Sequence, residues 1–469
     1  MSMGTLNMVA AATEGRLIGE DRSFEAISTD TRTLREGDLF FALRGERFDA
    51  AAFIEEAARR GAAGAVVDTW QEAPLPQIEV SDTRNALGAL ARDWRARFRL
   101  PVVGVTGSNG KTTVKEMIAG ILRAQFDAAR ADEPTHVLVT SGNLNNEIGL
   151  PLTVLRLSEW HRAAVFEMGA AKPRDIEYLA DIATPTIGVV TNAGAAHLAG
   201  FGNEETVAAT KGEMFEALTT GNIAIVNHDD KYASFWCELA APAEIFTFGL
   251  TNGSMFKAID IREAEVGKAR QLGLAFTLLA PFGSLEIRLP MAGQHNVPNA
   301  LAAAAAGHAA GAAPQAIRDG LLGVRNVPGR LLSVIGAGGV TLYDDSYNAN
   351  PVSVRAAIDF LADRADETWF VFGDMAELGP SSTDLHRQIG EHARESGISR
   401  LFGFGENARV AVEAFGTAGA SYDDIDALVE DLRAAAHAGV TVLVKGSRCM
   451  GLDRVVDALR AAATEGEGC

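Results

Sequence analysis

The feature that most constrains the fold is an apolar strand pattern that runs directly into a glycine-rich turn and then into a helix. The strand pattern covers residues 102–105, the turn reaches Lys111, and helical periodicity follows over 114–122. Such a unit presents backbone N–H groups at a helix N-terminus, where a phosphate group binds favourably. It predicts a parallel α/β sheet with a nucleotide phosphate at the carboxyl end of the strand.

Short apolar runs alternate with helical patterns along the rest of the chain, which is typical of an α/β protein. At 469 residues the chain is too long for one core and predicts about three domains. We predict a small N-terminal α/β domain (1–98), a central P-loop domain with a parallel sheet (99–327) and a C-terminal doubly wound, Rossmann-like α/β domain (328–469). Residues 252–291 have the two-residue alternation of an antiparallel insertion. The arginine-rich helix near 82–98 predicts a solvated face beside a linker.

Composition limits the partners of the chain. Its 61 acidic and 42 basic residues give a net charge of −19, which argues against nucleic acid and against an anionic membrane. No apolar run is long enough to predict a membrane span, and no signal-peptide pattern is seen, so we expect a cytoplasmic protein. We also expect a monomer. Cys237, Cys449 and Cys469 lie far apart and predict free thiols in a reducing compartment.

The turn has the short Thr-Gly-x-x-Gly-Lys-Thr-Thr form of a P-loop, because Val105 occupies the first glycine position of the longer motif. Lys111 is expected to neutralise the β- and γ-phosphates of ATP, and the Thr112 hydroxyl to ligate Mg²⁺. The strand before the turn and the helix after it disfavour the alternative of a turn without a ligand. The predicted ATP contacts in the turn are Gly107, Ser108, Asn109, Gly110, Lys111, Thr112 and Thr113.

Three polar residues farther along the chain are candidates for the same site. Glu167 follows an apolar strand pattern at 163–166, on the side where open α/β sheets bind ligands, and it is the best carboxylate candidate for Mg²⁺. His197 lies in a loop after the next strand, and Lys211 lies in a helical pattern. On pattern alone, a histidine in such a loop is more often structural, and a lysine in such a helix more often faces solvent.

Taken together, the motifs resemble those of the Mur ligase family. The P-loop sequence is shared by that whole superfamily, including folylpolyglutamate synthetases. Two stretches are more specific to the branch that adds D-alanyl-D-alanine: residues 142–153, GNLNNEIGLPLT, and residues 343–351, YDDSYNANP. Residues 293–300, GQHNVPNA, and 328–330, PGR, complete the set.

This resemblance implies an ATP-dependent amide ligase. ATP would phosphorylate the terminal carboxylate of UDP-N-acetylmuramoyl-tripeptide, and the amine of D-alanyl-D-alanine would displace phosphate in the final cytoplasmic step of peptidoglycan precursor synthesis. The resemblance makes Lys111, Glu167, His197 and Lys211 catalytic. It also implies two Mg²⁺ sites, with Thr112, Glu167, His197 and Lys211 as ligands, and a CO₂-derived carbamate on Lys211.

The resemblance assigns the other substrate contacts as well. Further ATP contacts are expected at Asn296, Asn299, Arg330 and Asp345. The UDP-linked substrate is expected to meet Ser28, Thr29, Arg32, Phe41, Arg44, Asn143, Asn145 and Asn146. D-alanyl-D-alanine or the peptide is expected to meet Asn348, Asn350, Lys445 and Arg448. Because the ATP contacts come from two domains, we expect the domains to rotate between open and closed forms, with a hinge near Gly329.

The sequence departs from the family pattern at Ala50-Ala51, Arg174-Asp175 and Ala199, where Gly-His, Gly-Glu and Glu are usual. None of these positions coincides with the P-loop, Glu167 or Lys211, so we expect activity to survive. Two alternatives remain at this point. One is another ligase of the superfamily, of the folylpolyglutamate or cyanophycin type, and the other is a non-catalytic regulator that binds ATP.

Overall fold

The structure is a computed structural model that describes residues 2–45, 49–127, 135–195, 198–267, 271–364 and 367–460. Its three main sheets follow one another along the chain, and each lies within one of the three predicted domain ranges. The boundaries at 98/99 and 327/328 remain predictions. In the part of the chain that the structure describes, no helix has the length and apolar character needed to cross a bilayer. Cys237 and Cys449 are free thiols, and Cys469 lies outside the described residues.

The N-terminal domain is built on a sheet with the strand order β2-β7-β6-β5-β4, parallel except for the β2–β7 pair. Residues 50–59 form a 3₁₀ turn, Ala50–Phe53, followed by an α-helix. The elements are β1 (Gly4–Thr5), α1 (Leu6–Ala12), β2 (Arg16–Ile18), β3 (Ser23–Phe24), β4 (Ile27–Ser28), β5 (Leu39–Phe41), α2 (Ile54–Arg59), β6 (Gly64–Val67), β7 (Gln77–Glu79) and α3 (Thr83–Arg95).

The solvated face predicted for the arginine-rich helix near 82–98 is correct for Arg92 and Arg97, which are exposed, but α3 also docks onto the next domain. The Arg95 side chain is buried and donates hydrogen bonds to the carbonyl oxygens of Ala183 and Thr184 in the next domain, at 2.9 and 3.2 Å. The indole N–H of Trp94 also donates to the carbonyl oxygen of Leu157, at 3.1 Å. These bonds satisfy buried polar groups and fix the N-terminal domain against the central one.

The central domain has a mixed sheet with the order β16-β15-β14-β13-β12-β11-β8-β10-β9. Apolar clusters cover both faces of the parallel part of this sheet, which explains why β8, β10 and β11 read as continuous apolar runs. The elements are β8 (Val102–Thr106), α4 (Lys111–Phe126), β9 (Val137–Val139), α5 (Gly149–Val154), β10 (Ala163–Glu167), α6 (Asp175–Ala183), β11 (Ile187–Val190), α7 (Leu198–Phe201), α8 (Glu204–Glu216), β12 (Ile223–Asn227), α9 (Ala233–Leu239), β13 (Glu244–Gly249), β14 (Phe256–Val266), β15 (Gln271–Ala280), β16 (Gly283–Leu289), α10 (Asn296–Ala309) and α11 (Pro314–Leu322).

The stretch predicted as an antiparallel insertion forms strands β14, β15 and β16, which do pair antiparallel with one another. They are not a separate unit, however. Strand β14 pairs in parallel with β13 through Phe248 and Gly249, so the three strands extend the nucleotide-binding sheet. The ladder of parallel strands and the antiparallel extension therefore share one continuous sheet.

The C-terminal domain has the order β17-β18-β22-β19-β20-β21, parallel except for the β17–β18 pair. Separate apolar clusters lie on its two faces, as expected for a doubly wound sheet. The elements are β17 (Leu332–Ile335), β18 (Thr341–Asp345), α12 (Pro351–Ala362), β19 (Glu367–Gly373), α13 (Ser382–Glu395), β20 (Arg400–Phe404), α14 (Glu406–Phe415), β21 (Gly419–Tyr422), α15 (Ile425–Ala435), β22 (Val440–Lys445) and α16 (Asp453–Leu459).

Candidate active site

A cavity of about 750 Å³ lies between the central and C-terminal domains, and it collects most of the predicted ATP and peptide contacts. It lies where strands β8, β18 and β22 end, the position at which open α/β sheets bind ligands. The predicted residues that line it are Ser108, Asn109, Gly110, Lys111, Thr113, Asn296, Asn299, Arg330, Asp345, Asn348, Asn350, Lys445 and Arg448.

The P-loop occupies the central-domain wall of this cavity. Gly110 precedes α4 with φ +82°, and a Cβ atom there would lie 2.5 Å from Oδ1 of Asn299, so only glycine fits. The Lys111 ammonium donates to the carbonyl oxygens of Gly107 and Ser108, at 2.7 and 3.2 Å. Thr113 lines the cavity, whereas Thr112, the predicted Mg²⁺ ligand, is partly exposed in the first turn of α4 and is not part of the lining.

The electrostatic environment of Lys111 suits an anionic ligand. Desolvation lowers the pKa of its ammonium group to about 8; the charge of Glu167 raises this pKa, and that of Arg330 lowers it further. Arg330, Lys445 and Arg448 line the same cavity. The site is therefore a local concentration of positive charge in a protein of net charge −19, which is what a polyphosphate requires.

Glu167 lies at the end of β10 with its side chain buried. Its Oε1 accepts a hydrogen bond from Nδ2 of Asn145 at 2.8 Å, whereas its Oε2 is buried and has no hydrogen-bond partner in the described residues. The Lys115 ammonium lies 3.9 Å from that Oε2. A buried carboxylate oxygen without a hydrogen bond is suited to a cation, so Glu167 fits the predicted Mg²⁺ site.

Sequence reasoning missed Lys115. This side chain is 1% exposed, and its ammonium donates to the Thr140 carbonyl oxygen at 2.9 Å and lies 2.9 Å from Oε1 of Glu116. It falls one helical turn after Lys111, between apolar residues of α4 that face the core. The sequence did contain a signal for Lys115: it is a lysine among the core-facing positions of a helix, and a buried lysine needs a partner inside the protein.

Lys211 projects from α8 and is not the solvent-facing lysine that its pattern favoured, since it is only 3% exposed. Its ammonium lies 5.5 Å from the ring centroid of Phe201 and makes no hydrogen bond or ion pair with a described residue. Desolvation and then the charge of Lys111 lower its pKa to about 7, against smaller opposing effects of Glu213 and Asp175. His197, the other predicted ligand, lies outside the described residues.

On the C-terminal wall, a carboxylate and an aromatic ring lie against the three cationic side chains. The Lys445 ammonium donates to Oδ2 of Asp345 at 2.6 Å and to the carbonyl oxygen of Asn348 at 3.0 Å. The guanidinium carbons of Arg330 and Arg448 lie 4.3 and 5.0 Å from the ring centroid of Tyr347. Tyr347 was not predicted as a site residue, although it stands inside the YDDSYNANP stretch.

The four asparagines at the site are held by hydrogen bonds of different kinds. Asn296 is buried and donates to the Ala292 carbonyl oxygen at 2.7 Å, and its own Oδ1 accepts from Asn299 at 3.1 Å. Asn348 is exposed. Asn350 is buried and donates from Nδ2 to Oδ1 of Asn109 in the P-loop at 2.6 Å. The two domains are thus bonded to each other inside the cavity.

The residues predicted for the UDP-linked substrate lie apart from this lining. Arg32 forms a bidentate pair with Asp30, which lowers the pKa of that carboxyl to about 2. Arg44 pairs with Asp68 at 3.0 Å, and the Phe41 ring is packed fully inside the core instead of facing solvent. Ser28 is buried, and Thr29 follows it at the end of β4.

The asparagines predicted for the same substrate divide between two roles. Asn145 joins the GNLNN stretch to Glu167, and Oδ1 of Asn146 accepts from the backbone N–H of Gly149 at 2.9 Å, at the start of α5. Asn143 is exposed. Asn145 is therefore the member of this group that contacts a predicted catalytic residue.

The departures from the family pattern fall at structural positions. Ala50 is buried, and the Asp49 carboxylate accepts from the Ala51 backbone N–H, so this pair starts a 3₁₀ turn. Arg174 has φ +71° and precedes α6, while the charge of Asp175 raises the pKa of Lys211. The backbone N–H of Ala199 donates to the carbonyl oxygen of Glu377 at 3.1 Å, which places it at the junction with the C-terminal domain.

Three family models match the chain. The model described as Mur ligase family, catalytic domain matches residues 23–95. The model described as Mur ligase middle domain matches residues 105–307. The model described as Mur ligase, glutamate ligase domain matches residues 329–448.

Relatives and solved structures match over nearly the whole length. The chain is 40% identical over 463 residues, covering 98% of this chain and 99% of the relative, to the UDP-N-acetylmuramoyl-tripeptide–D-alanyl-D-alanine ligase of Escherichia coli (strain K12). It is similar to a crystal structure of MurF from Acinetobacter baumannii, with TM-score 0.88, 33% identity and coverage of 97% and 98%. It is also similar to the MurF ligase of Thermotoga maritima in complex with ADP, with TM-score 0.81, 28% identity and coverage of 92% and 96%. These matches confirm the predicted three-domain α/β architecture.

Proposed function

The chain belongs to the Mur ligase family, and from that premise we infer that it joins D-alanyl-D-alanine to UDP-N-acetylmuramoyl-tripeptide with consumption of ATP. The relatives that carry this activity in their names match all three domains. The alternatives of a folylpolyglutamate-type or cyanophycin-type ligase and of a non-catalytic regulator explain neither these relatives nor the GNLNN and YNANP stretches.

One observation carries the proposal most directly. The P-loop lysine and five residues of the YDDSYNANP stretch line the same cavity, although they come from different domains. A ligase that activates a carboxylate must hold ATP, an acid and an amine together. A cleft with the phosphate-binding turn on one wall and polar loops on the other provides such a place.

The chemistry follows from what the walls present. An oxygen of the tripeptide carboxylate attacks the γ-phosphorus of ATP, and ADP leaves. The amine of D-alanyl-D-alanine then attacks the acyl carbon of the acyl phosphate, inorganic phosphate leaves and the amine loses a proton. Lys111 and Arg330 line the cavity and would stabilise the negative charge of the phosphates as it redistributes.

Mg²⁺ belongs to this proposal through the residues that would hold it. Thr112, Glu167, His197 and the carbamylated Lys211 are the proposed ligands, and Glu167 supports this with its buried, unbonded Oε2. When bound, Mg²⁺ would neutralise phosphate charge and orient the phosphates for in-line transfer. Asn145 and Lys115 would keep the Glu167 carboxylate aimed into the site, since both lie against its oxygens.

The carbamate on Lys211 is proposed on the state of its amine. Only a neutral amine adds to CO₂, and the reaction gives a carbamate anion and releases one proton. Burial and the positive charge of Lys111 bring the pKa of Lys211 to about 7, so a large share of the amine is neutral near that pH. The carbamate would convert a cation beside Lys111 into an anion able to ligate metal.

The N-terminal domain would hold the UDP sugar, with Ser28, Thr29, Arg32 and Arg44 as the proposed polar contacts. Arg32 and Arg44 are each paired with an aspartate in the described structure. A pyrophosphate would compete with Asp30 and Asp68 for these guanidinium groups, and planar bidentate recognition favours arginine for that task.

The proposed function is tested by measuring ADP release with UDP-N-acetylmuramoyl-tripeptide, with and without D-alanyl-D-alanine, and by identifying the product by mass spectrometry. We expect sustained ADP release and a product enlarged by one dipeptide only when both substrates are present. L-alanyl-L-alanine serves as the matched acceptor control. ADP release that ignores the acceptor, or a product without the dipeptide, would reject the ligase function.

A further inference from the structure

Asn350 is placed so that its side chain bonds two elements at once. Its Oδ1 accepts from the backbone N–H of Ser353 at 3.0 Å and so caps the N-terminus of α12, in a reciprocal capping box. Its Nδ2 donates to Oδ1 of Asn109 at 2.6 Å. One side chain thus joins the start of a C-terminal-domain helix to the tip of the P-loop.

The other bonds of Asn109 hold its backbone. Its N–H donates to Oδ1 of Asn192 at 2.9 Å, and its carbonyl oxygen accepts from the Thr191 hydroxyl at 2.6 Å and from Nδ2 of Asn192 at 3.2 Å. The Asn109 side chain itself bonds Asn350 alone among the described residues. The contact is therefore separable by mutation, because removing the side chain leaves the backbone bonds of the turn in place.

Helix α12 is also tied to the central domain beyond its other end. Arg364, two residues past the helix, forms hydrogen bonds to both carboxylate oxygens of Glu263 on β14, at 2.7 and 3.3 Å. Twelve helical residues span about 18 Å, so the helix reaches from the phosphate-binding turn to the antiparallel extension of the sheet. Any rotation of the C-terminal domain must move this helix against both attachments.

We propose that Asn350 is a positioning residue that couples closure of the C-terminal domain to the shape of the P-loop. The Asn350–Asn109 bond exists when the domains have the arrangement described here. It then fixes the turn that carries Lys111 at the moment when Arg330, Asp345 and Lys445 complete the opposite wall. In an open arrangement the Asn350–Asn109 bond is lost and the turn is less ordered. Phosphoryl transfer therefore occurs only after the domains close.

This role differs from the peptide contact that sequence resemblance suggested for Asn350. Both polar ends of the side chain are engaged by protein atoms, and the residue is 9% exposed. Asn348, two residues earlier, is exposed and lines the cavity; its Oδ1 accepts from the Ala349 backbone N–H at 2.9 Å, and its exposure leaves it open to contact with a substrate. The inference rests on the proposed function only for its kinetic readout.

The test uses Asn350→Ser, Asn109→Ala and the double variant in the full chain. Serine caps helices as well as asparagine does, so Asn350→Ser keeps the cap on α12 and removes only the amide donor. Asn350→Asp, which keeps the size and the cap, is the second variant if the serine chain does not fold. A thermal midpoint close to that of the unmutated chain establishes that the cap survived.

We expect Asn350→Ser to lower kcat roughly tenfold, as for the loss of one hydrogen bond made in the reactive state, with KM for D-alanyl-D-alanine unchanged. Asn109→Ala should have the same effect, and the double variant should be no worse than either single one. Additive losses, an unchanged kcat, or a raised KM for D-alanyl-D-alanine at constant kcat would each overturn the proposal.

Amide hydrogen exchange separates this inference from the proposed function, because it requires neither the peptide substrates nor turnover. In the full-length protein saturated with a non-hydrolysable ATP analogue, which favours closure, the peptide containing residues 107–113 should exchange about tenfold faster in Asn350→Ser than in the unmutated chain, and to the same extent in Asn109→Ala. Equal exchange in all chains would overturn the coupling even if ligation were confirmed. Faster exchange in a chain that proved not to ligate D-alanyl-D-alanine would reject the ligase function and retain the coupling.

Discussion

Two lysines in different domains are equally buried and yet have opposite surroundings. Lys211, on α8 of the central domain, and Lys445, which lines the cleft from the C-terminal domain, are each 3% exposed. Lys445 is neutralised by Asp345 at 2.6 Å and bonded to the Asn348 carbonyl oxygen. Lys211 has a phenyl ring and another cation, Lys111, for neighbours, and its pKa falls to about 7.

The difference shows that burial alone does not decide what a lysine does. A buried ammonium with a carboxylate partner stays a fixed charge and serves as structure or as an anchor for anions. A buried amine without such a partner gives up its proton readily and becomes a nucleophile. Lys211 is thus suited to chemistry that changes its charge, whereas Lys445 is held by an ion pair with Asp345.

The largest effect is expected for Lys111→Ala, which tests whether a positive charge beside Lys211 is required for ligation. Lys111 is both the proposed counter-ion of the phosphates and the charge that lowers the pKa of Lys211. We expect ligation to fall by about 10³-fold or more, since a preorganised charge in the cleft is lost. ADP release under saturating substrates measures it, with circular dichroism as the control for folding. Near-normal ligation would remove the P-loop lysine from the mechanism.

A smaller effect, about 10²-fold, is expected for Lys211→Ala, because the proposed metal-ligating carbamate is removed while the phosphate site remains. Short carboxylic acids such as acetate should restore part of the activity, because they can supply the missing anion. Lys445→Ala is the matched control: it removes a lysine of equal burial and should not respond to acetate. A fully active Lys211→Ala, or equal rescue of both variants, would reject the distinction between the two lysines.

The parts of this site that lie within one contiguous segment could be predicted from the sequence. The strand β8, the turn and the start of α4 are contiguous, so their roles can be inferred from spacing and residue type alone. Glu167 was placed correctly at the end of a strand for the same reason, because parallel strands present their carboxyl ends on one side. Features that a single segment determines were therefore predictable.

Contacts between distant segments were not predictable in this way. Asn109 and Asn350 are 241 positions apart, and neither segment contains a pattern that indicates contact with the other. The burial of Arg95 and Lys115 depends on which elements pack against their helices, which a helical pattern does not specify. The antiparallel character of β14–β16 was predicted, but its continuity with the nucleotide-binding sheet depends on the pairing of β13 with β14.

The lysine comparison also predicts a pH-dependent difference in stability. The folded-state pKa of Lys211 is about 7, against 10.5 ordinarily, so the unfolded chain binds this proton more tightly. The resulting destabilisation is complete below pH 7 and disappears as the pH rises towards 10.5. Lys211→Met should therefore raise the free energy of unfolding by several kcal/mol, at most about 5 kcal/mol, at pH 6 in CO₂-free buffer, with the gain shrinking towards pH 10. Denaturant unfolding at several pH values measures this; a gain that does not change with pH would contradict the lowered pKa.

The smallest effect on activity and stability is expected for the ion pair that joins the two domains at a distance from the P-loop. Arg364 and Glu263 join α12 to β14, but their side chains are 15% and 44% exposed, so water and salt screen the pair. Arg364→Gln should cost less than about 1 kcal/mol of stability and change kcat less than about threefold, because a partly exposed ion pair contributes little on its own. ADP release and thermal unfolding, each at low and high salt, measure these effects, and the small loss should vanish at high salt. A loss as large as that expected for Asn350→Ser, and insensitive to salt, would mean that domain closure is controlled from the remote end of α12 and that the contact at the P-loop follows it.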